Sequence, residues 1–302
     1  MSWPVYLALH ETGELRRRIR SAEELMTECR LCARECRVRR LEGERGTCGV
    51  ADEAIISSAG PHFGEETPLV GHGGSGTIFL THCNLQCVFC QNYEISQLGD
   101  GKAVSSTGLA EMMLSLQQLG CHNINFVSPT HQVPQILRAL ALAIERGLTL
   151  PLVYNCGGYE SPETLRLLDG IVDIYMPDFK YADPDVAERY SGVKDYPAVV
   201  RAALREMHRQ VGDLALDRRG VAKRGLLVRH LVLPNDLAGT GEAVRFLADL
   251  SPNTYLNIMG QYRPCYRAHE YPPIARRPTR EEIERAFHLA RAAGLTRLDG
   301  FC

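Results

Sequence analysis

From residue 76 onward the chain alternates between two periods. Short runs rich in β-branched and other apolar residues fall at 77–82 (TIFLTH), 123–128 (NINFVS), 150–155 (LPLVYN), 171–179 (IVDIYMPDF), 226–234 (LLVRHLVLP) and 254–261 (TYLNIMGQ). Between them lie amphipathic stretches at 108–120, 132–147, 161–169, a longer one over 183–213, and two more at 240–250 and 279–294. Strands alternating with helices of this length predict βα units and a parallel sheet. Right-handed crossovers would curl six such units into a partial (β/α)6 barrel, open on one side. The segment DLALDRRGVAKRG (213–225) predicts an exposed loop ahead of the fifth strand.

Residues 1–75 do not follow this rhythm. They predict a charged helix over about 11–28, then a cysteine cluster, then the Gly/Pro-rich SSAGPHFGEETPLVGHGGSG. We read them as an N-terminal extension packed on the barrel, with the barrel occupying 76–302.

Composition narrows the function. The 302 residues are 45% hydrophobic and 23% charged, enough for a normal core without staples. A net charge of −2 gives no bulk attraction to nucleic acid or to acidic membranes. No apolar run has the length of a membrane span. The N-terminus turns charged early and lacks the basic-then-apolar order of a secretory signal, so a cytoplasmic location is expected. In a reducing cytosol the 11 cysteines are not explained by disulfides. Clustered cysteines there usually hold metal, and two clusters are present. Four more, Cys121, Cys156, Cys265 and Cys302, are scattered and read as small buried hydrophobes.

Cys83, Cys87 and Cys90, spaced C-x3-C-x2-C, follow the first barrel strand, so they sit at the end of a βα barrel that carries chemistry. A closed structural metal site takes four ligands, whereas a catalytic one leaves a position open. A cubane iron–sulfur cluster held by three local thiolates leaves one iron free for another ligand. The alternatives are a zinc site completed by His82, or simply buried thiols.

The spacing and its flanks, including Phe89 just before the last cysteine, resemble the radical S-adenosylmethionine (SAM) superfamily. The resemblance implies a [4Fe–4S] cluster on Cys83, Cys87 and Cys90, with SAM chelated to the free iron and Phe89 near its adenine. It also implies an electron delivered by a reduced flavodoxin- or ferredoxin-type donor. That electron breaks the sulfonium C–S bond and yields a 5′-deoxyadenosyl radical.

Over most of residues 60–262 the chain is similar to the pyruvate formate-lyase activating enzymes and their uncharacterised relatives. DIYMPDFKY (173–181) resembles the activase D-x-K strand, which maps onto Asp178 and Lys180. VYNCGGY (153–159) resembles the segment that helps to hold a monovalent cation in activases. The corresponding set here is Asn155, Cys156, Met176 and Asp178, and it lacks the activase carboxylate and hydroxyl. VRHLVLPN (228–235) makes Arg229 a candidate partner for the SAM carboxylate, which its planar fork suits. Read without the resemblance, Asp178–Lys180 is an ordinary ion pair and Arg229 a structural one. The activase Gly-Gly-Glu that binds the SAM amino group is replaced by SPTHQVP (128–134), so Ser128 and Thr130 are the candidate acceptors.

Upstream, Cys29, Cys32, Cys36 and Cys48 give C-x2-C-x3-C-x11-C, a candidate for zinc, for an auxiliary iron–sulfur cluster or for free thiols. Arginines at 30, 34, 37, 39, 40 and 45 surround them and would favour thiolates, although such a run is equally a solvated face. His62, Glu65, Glu66 and His72 precede the first strand and either line the barrel mouth or form a surface loop. The leading reading is activase-like hydrogen abstraction from a partner protein, a glycyl radical enzyme. The second is a radical SAM enzyme acting on a small molecule or a peptide side chain. The third is a non-catalytic metal-binding or electron-carrying protein.

Overall fold

The computed structural model describes residues 3–300; the scattered Cys302 lies outside the described residues. Among these the strands are β1 (Ala54–His62), β2 (Ser75–Leu80), β3 (Lys102–Val104), β4 (Ile124–Val127), β5 (Leu152–Cys156), β6 (Ile174–Pro177), β7 (Ala215–Leu216), β8 (Ala222–Leu231), β9 (Tyr255–Met259) and β10 (Leu298–Asp299). They form one sheet in the order β10-β9-β8-β6-β5-β4-β2-β1-β3, with β7 paired to β8. The stretch from β2 to β10 along this order is parallel throughout. The order runs from β10 to β3 without returning on itself, so the sheet curls without closing.

All six predicted strands are present, at β2, β4, β5, β6, β8 and β9. They read clearly because β5 and β6 are buried at every position and β2 at all but one. The helices begin where the chain offers caps. Ser105 accepts from the Gly108 N–H at the start of the helix 106–118, and Thr279 with Glu282 forms a capping box for 280–292.

Three features depart from the expectation. The N-terminal segment contributes β1, which pairs antiparallel with β2 and carries β3 on its other side. Its second half is mostly exposed and contains Gly60 and Pro61, so its sequence resembles a loop. The segment 213–225 is a hairpin rather than a loop: β7 pairs with β8 across a turn in which Asp217 accepts from the Arg219 and Val221 amides. The stretch 183–213 is two helices, Pro184–Ser191 and Tyr196–Val211, divided at Gly192, which takes a left-handed conformation. Among the described residues no helix is long and apolar enough to cross a membrane.

Two glycines show how tightly the site end of the sheet is packed. Gly158, after β5, has φ of +79°, and a Cβ there would lie 2.5 Å from the Asp178 carbonyl oxygen. Gly147, after the helix 133–145, has φ of +92° with nothing within 4 Å. Gly147→Ala should therefore cost only the left-handed strain, about 1 kcal/mol. Gly158→Ala adds a backbone clash and should cost about 3 kcal/mol or more in urea unfolding. Equal losses for the two variants would show that the ends of β5 and β6 are loosely packed.

Candidate active site

The loop that leaves β2 brings Cys83, Cys87 and Cys90 to the C-terminal end of the parallel strands. Each sulfur has a polar neighbour at hydrogen-bond distance. The Leu85 N–H reaches Cys83 Sγ at 3.4 Å, Ser191 Oγ donates to Cys87 Sγ at 2.9 Å, and Ser96 Oγ lies 3.0 Å from Cys90 Sγ. Tyr181 stands behind Ser191, its hydroxyl 2.8 Å from the serine oxygen. Burial, reinforced by the neighbouring sulfurs, pushes Cys83 up to about 12 and raises Cys90 as well. Thiols lifted in this way ionise readily only when a positive metal centre replaces the lost hydration.

Among the described residues no three His, Cys, Asp or Glu side chains converge on a single-ion position. Thiolates that bind a cubane each take a different iron, so three neighbouring but non-convergent thiols fit such a cluster. His82 does not join them. Its Nδ1 lies 2.8 Å from the Thr81 hydroxyl, and its ring fills the space over Gly49 and Gly99.

Cys87 and Cys90 border a cavity of 410 Å3, lined also by Phe89, Asn155, Asp178, Lys180 and Arg229. Phe89 is buried edge-on against Tyr262 and Tyr181, with centroids 5.7 and 6.3 Å away. Across the cavity, the ends of β5, β6 and β8 carry a chain of polar contacts. Lys180 Nζ donates to Asp178 Oδ2 at 2.5 Å, Arg229 Nε to Asp178 Oδ1 at 2.7 Å, and Arg229 Nη2 to Asn155 Oδ1 at 2.7 Å. Burial opposes the charge on Asp178, but Arg229 and Lys180 outweigh it and hold the carboxyl below its usual range. Burial likewise opposes Lys180, and Asp178 and Cys87 more than offset it.

The remaining expected residues divide. His62, Glu65 and Glu66 line the cavity. His72 does not; its ring meets His122 edge-on elsewhere. Met176 pairs in register with Asn155 but is fully buried in the apolar cluster of Val153, Ile174 and Leu227. Cys156 alternates to the other face of β5 and is buried beside Glu160. Asn155 therefore lines the cavity, whereas Cys156 does not. Ser128, at a positive φ of 58°, donates its N–H to the Asn155 carbonyl at 2.8 Å. Thr130 is buried away from the cavity, its hydroxyl donated to Glu160 Oε1 at 2.7 Å. Sequence reasoning missed Ser191, Ser96 and Tyr181; Ser191 lies 104 residues from the cysteine it meets, and no local signal marks it.

Cys29, Cys32, Cys36 and Cys48 all border one small cavity of 10 Å3. His131 lines it too, and its buried Nδ1 has no partner. Burial raises Cys32 to about 12 and lifts Cys36 and Cys48. Of the six arginines only Arg40 is fully buried, with Nη1 4.0 Å from Cys29 Sγ. Arg30, Arg37 and Arg39 pair with surface glutamates. The cysteine segment also braces the loop of Cys83. Arg34 Nε donates to the Asn84 carbonyl at 2.6 Å, and Gln86 Nε2 donates to the Thr47 carbonyl.

Comparison with known proteins agrees with this geometry. The uncharacterized protein MJ0674 of Methanocaldococcus jannaschii is 35% identical over 282 residues, covering 90% of this chain and 77% of its own length. Among solved structures, Streptococcus suis SuiB bound to precursor peptide SuiA overlays with a TM-score of 0.50 at 10% identity. That overlay covers 74% of this chain and 47% of SuiB, so this chain spans less than half of SuiB's length. Methylornithine synthase (PylB) overlays with a TM-score of 0.48 at 14% identity, covering 74% of this chain and 70% of that one. Residues 77–218, which hold the three clustered thiols and the Asp178–Lys180 pair, match the Radical SAM superfamily domain. The chain contains a Radical SAM superfamily domain.

Proposed function

We propose that Cys83, Cys87 and Cys90 hold a [4Fe–4S] cluster, that the 410 Å3 cavity receives SAM, and that the reaction is activase-like hydrogen abstraction from a polypeptide. The observation that carries this reading is one cavity with clustered thiols on one wall and an anchored guanidinium among the residues that line it. When bound, the cluster and SAM would supply hydrogen-atom abstraction from a substrate C–H bond, with one electron from a reduced flavodoxin- or ferredoxin-type donor and with methionine and 5′-deoxyadenosine as the by-products.

The chain's residues bind and orient. Two nitrogens of Arg229 are fixed by Asp178 and Asn155, and Nη1, with only the longer 3.8 Å contact to Glu66 Oε1, is the one to meet the SAM carboxylate. Lys180 adds a second cation at the same wall. Phe89 offers an aromatic edge to the adenine. Thr130 is already committed to Glu160, so Ser128 is left to meet the amino group. The unclosed sheet supports a polypeptide substrate, because a loop can enter beside β10. A second reading, a small molecule or a single side chain, is favoured by the size of the adjoining cavity, 520 Å3. At the N-terminal cysteines the reading is a second metal, zinc or an auxiliary cluster, that fastens the segment against the loop of Cys83.

Protein reconstituted and reduced without oxygen should form 5′-deoxyadenosine from SAM, and Cys87→Ala should abolish it together with most of the cluster iron. Product formation unaffected by this change would reject the assignment. Arg229→Lys keeps the charge but loses the fork. It should weaken SAM binding by about 10-fold or more in equilibrium titration, since hydrogen bonds to charged groups contribute about 1.5–3 kcal/mol. An unchanged affinity would return Arg229 to a structural role.

Lysate from cells grown in deuterated medium should transfer deuterium into 5′-deoxyadenosine. For a polypeptide substrate the lysate fraction retained on dialysis supports that transfer, whereas transfer with the dialysate alone supports the small-molecule reading. Cys48→Ser should remove one metal site's worth of zinc or iron and leave the iron held by Cys83, Cys87 and Cys90. Metal content equal to wild type would make the upstream thiols metal-free.

A further inference from the structure

Beside the cavity bordered by Cys87 and Cys90 lies a second one of 520 Å3, bounded by β9, β10 and the segment 64–67. The two share Gly64, Glu65, Glu66 and Gln261, so they adjoin. Among the described residues that line it, every charged one is acidic: Glu65, Glu66 and Asp299.

Glu66 is 8% exposed. Its Oε1 accepts from Asn257 Nδ2 at 3.0 Å and lies 3.8 Å from Arg229 Nη1, its buried Oε2 has no amide or cationic donor, and the group that meets this carboxyl from its own segment is a second acid, Glu65, which burial lifts to about 7. Arg229 cannot neutralise the whole group, because its closest contacts go to Asp178 and Asn155. Asp299 accepts from the Tyr255 hydroxyl at 3.0 Å and from the Gly300 N–H at 2.8 Å, both uncharged donors. A carboxylate oxygen buried without a donor is left undersolvated, and a cationic ligand removes that cost.

The three acids do not converge on one ion position, since no such group of three exists among the described residues. They are spread around a space the size of an organic ligand. Ile283 gives that space an apolar wall, and Gly64, Gly260 and Gly300 leave its lining without side-chain bulk.

We propose that this cavity is the substrate subsite and that it takes a cationic amine, a primary ammonium group on an apolar arm, with Glu66 and Asp299 as its acceptors. The inference rests on the reading that SAM occupies the adjoining cavity, because that places the amine's carbon chain beside the radical. An ammonium group is compact and carries three donors, which suits acceptors arranged around it rather than in one plane. The group can belong to a lysine side chain of a polypeptide or to a free amine.

The test is calorimetric titration of the reconstituted protein with Nα-acetyl-lysine methylamide, with its norleucine counterpart, with spermidine and, separately, with SAM. The lysine derivative should bind saturably, and the norleucine compound at least ~10-fold more weakly, a factor that corresponds to one lost charged contact. Asp299→Asn and Glu66→Gln should each weaken the lysine derivative by a similar factor, with folding checked by circular dichroism. Tighter binding of spermidine than of the capped lysine assigns the site to a free amine, and the reverse assigns it to a lysine side chain.

Equal binding of the lysine and norleucine compounds, binding of neither by protein that binds SAM, or affinities unchanged in both variants would overturn the proposal. Amine binding that persists while SAM fails to bind would sustain the acidic subsite and reject the SAM reading instead.

Discussion

Lys180 and Arg229 come to the ends of adjacent strands, facing one cavity, where two half-buried cations repel each other unless an anion stands between them. Asp178 is that anion, with one oxygen on each partner at 2.5 and 2.7 Å. Removing one member of such a buried set leaves an uncompensated charge and costs about 3–5 kcal/mol, so the three residues stand or fall together. The arrangement reaches further than the charges. The Phe179 N–H donates to the Arg229 carbonyl, and Tyr196 donates to the Asp178 carbonyl, so the side-chain contacts are fixed by backbone that is itself fixed. A guanidinium held in this way can meet a carboxylate without first losing side-chain freedom.

The cysteine loop depends on support from the opposite side, where Glu160 is the centre. It accepts from Thr130 and Tyr154 at 2.7 and 2.9 Å, and its backbone bridges Cys32 of the N-terminal segment. Burial lifts this carboxyl to about 7, against the pull of those donors. The N-terminal segment therefore reaches the active-site loop by two routes, through the Cys32–Glu160 bridge and through Arg34 on the Asn84 carbonyl. If a metal draws Cys29, Cys32, Cys36 and Cys48 together, the binding energy is also stabilisation of this brace.

The sequence was most legible where one physical cause acts alone. Strands buried on both faces read as unbroken apolar runs, and β2, β4, β5 and β6 were visible for that reason. The edge strand β1 faces solvent over much of its length and pairs on a bulged register, so its polar, Gly/Pro-containing sequence looked like a loop. At the site, the three cysteines stood out by their spacing after a strand, whereas Asp178, Lys180, Arg229 and Asn155 were singled out only through the resemblance to the activating enzymes; the fold brings those four to one cavity. Thr130 lies away from the cavity because the direction of its side chain depends on a distant partner, Glu160, which is not written locally, whereas Cys156 is buried as a scattered cysteine was expected to be. Ser191 was invisible because only the folded chain brings it to Cys87.

The unclosed sheet links these observations. Had β10 met β3, the interior would be filled by side chains in layers, as in a closed barrel. Left open, it has polar residues on its inner face, and each needs a partner or a ligand. Asn155, Asp178 and Arg229 find partners in one another. Glu66 is only half satisfied, and it sits where the two cavities meet. A buried carboxylate oxygen left without a donor on one side, beside an arginine already anchored on the other, is the contrast on which the proposal of two occupants rests.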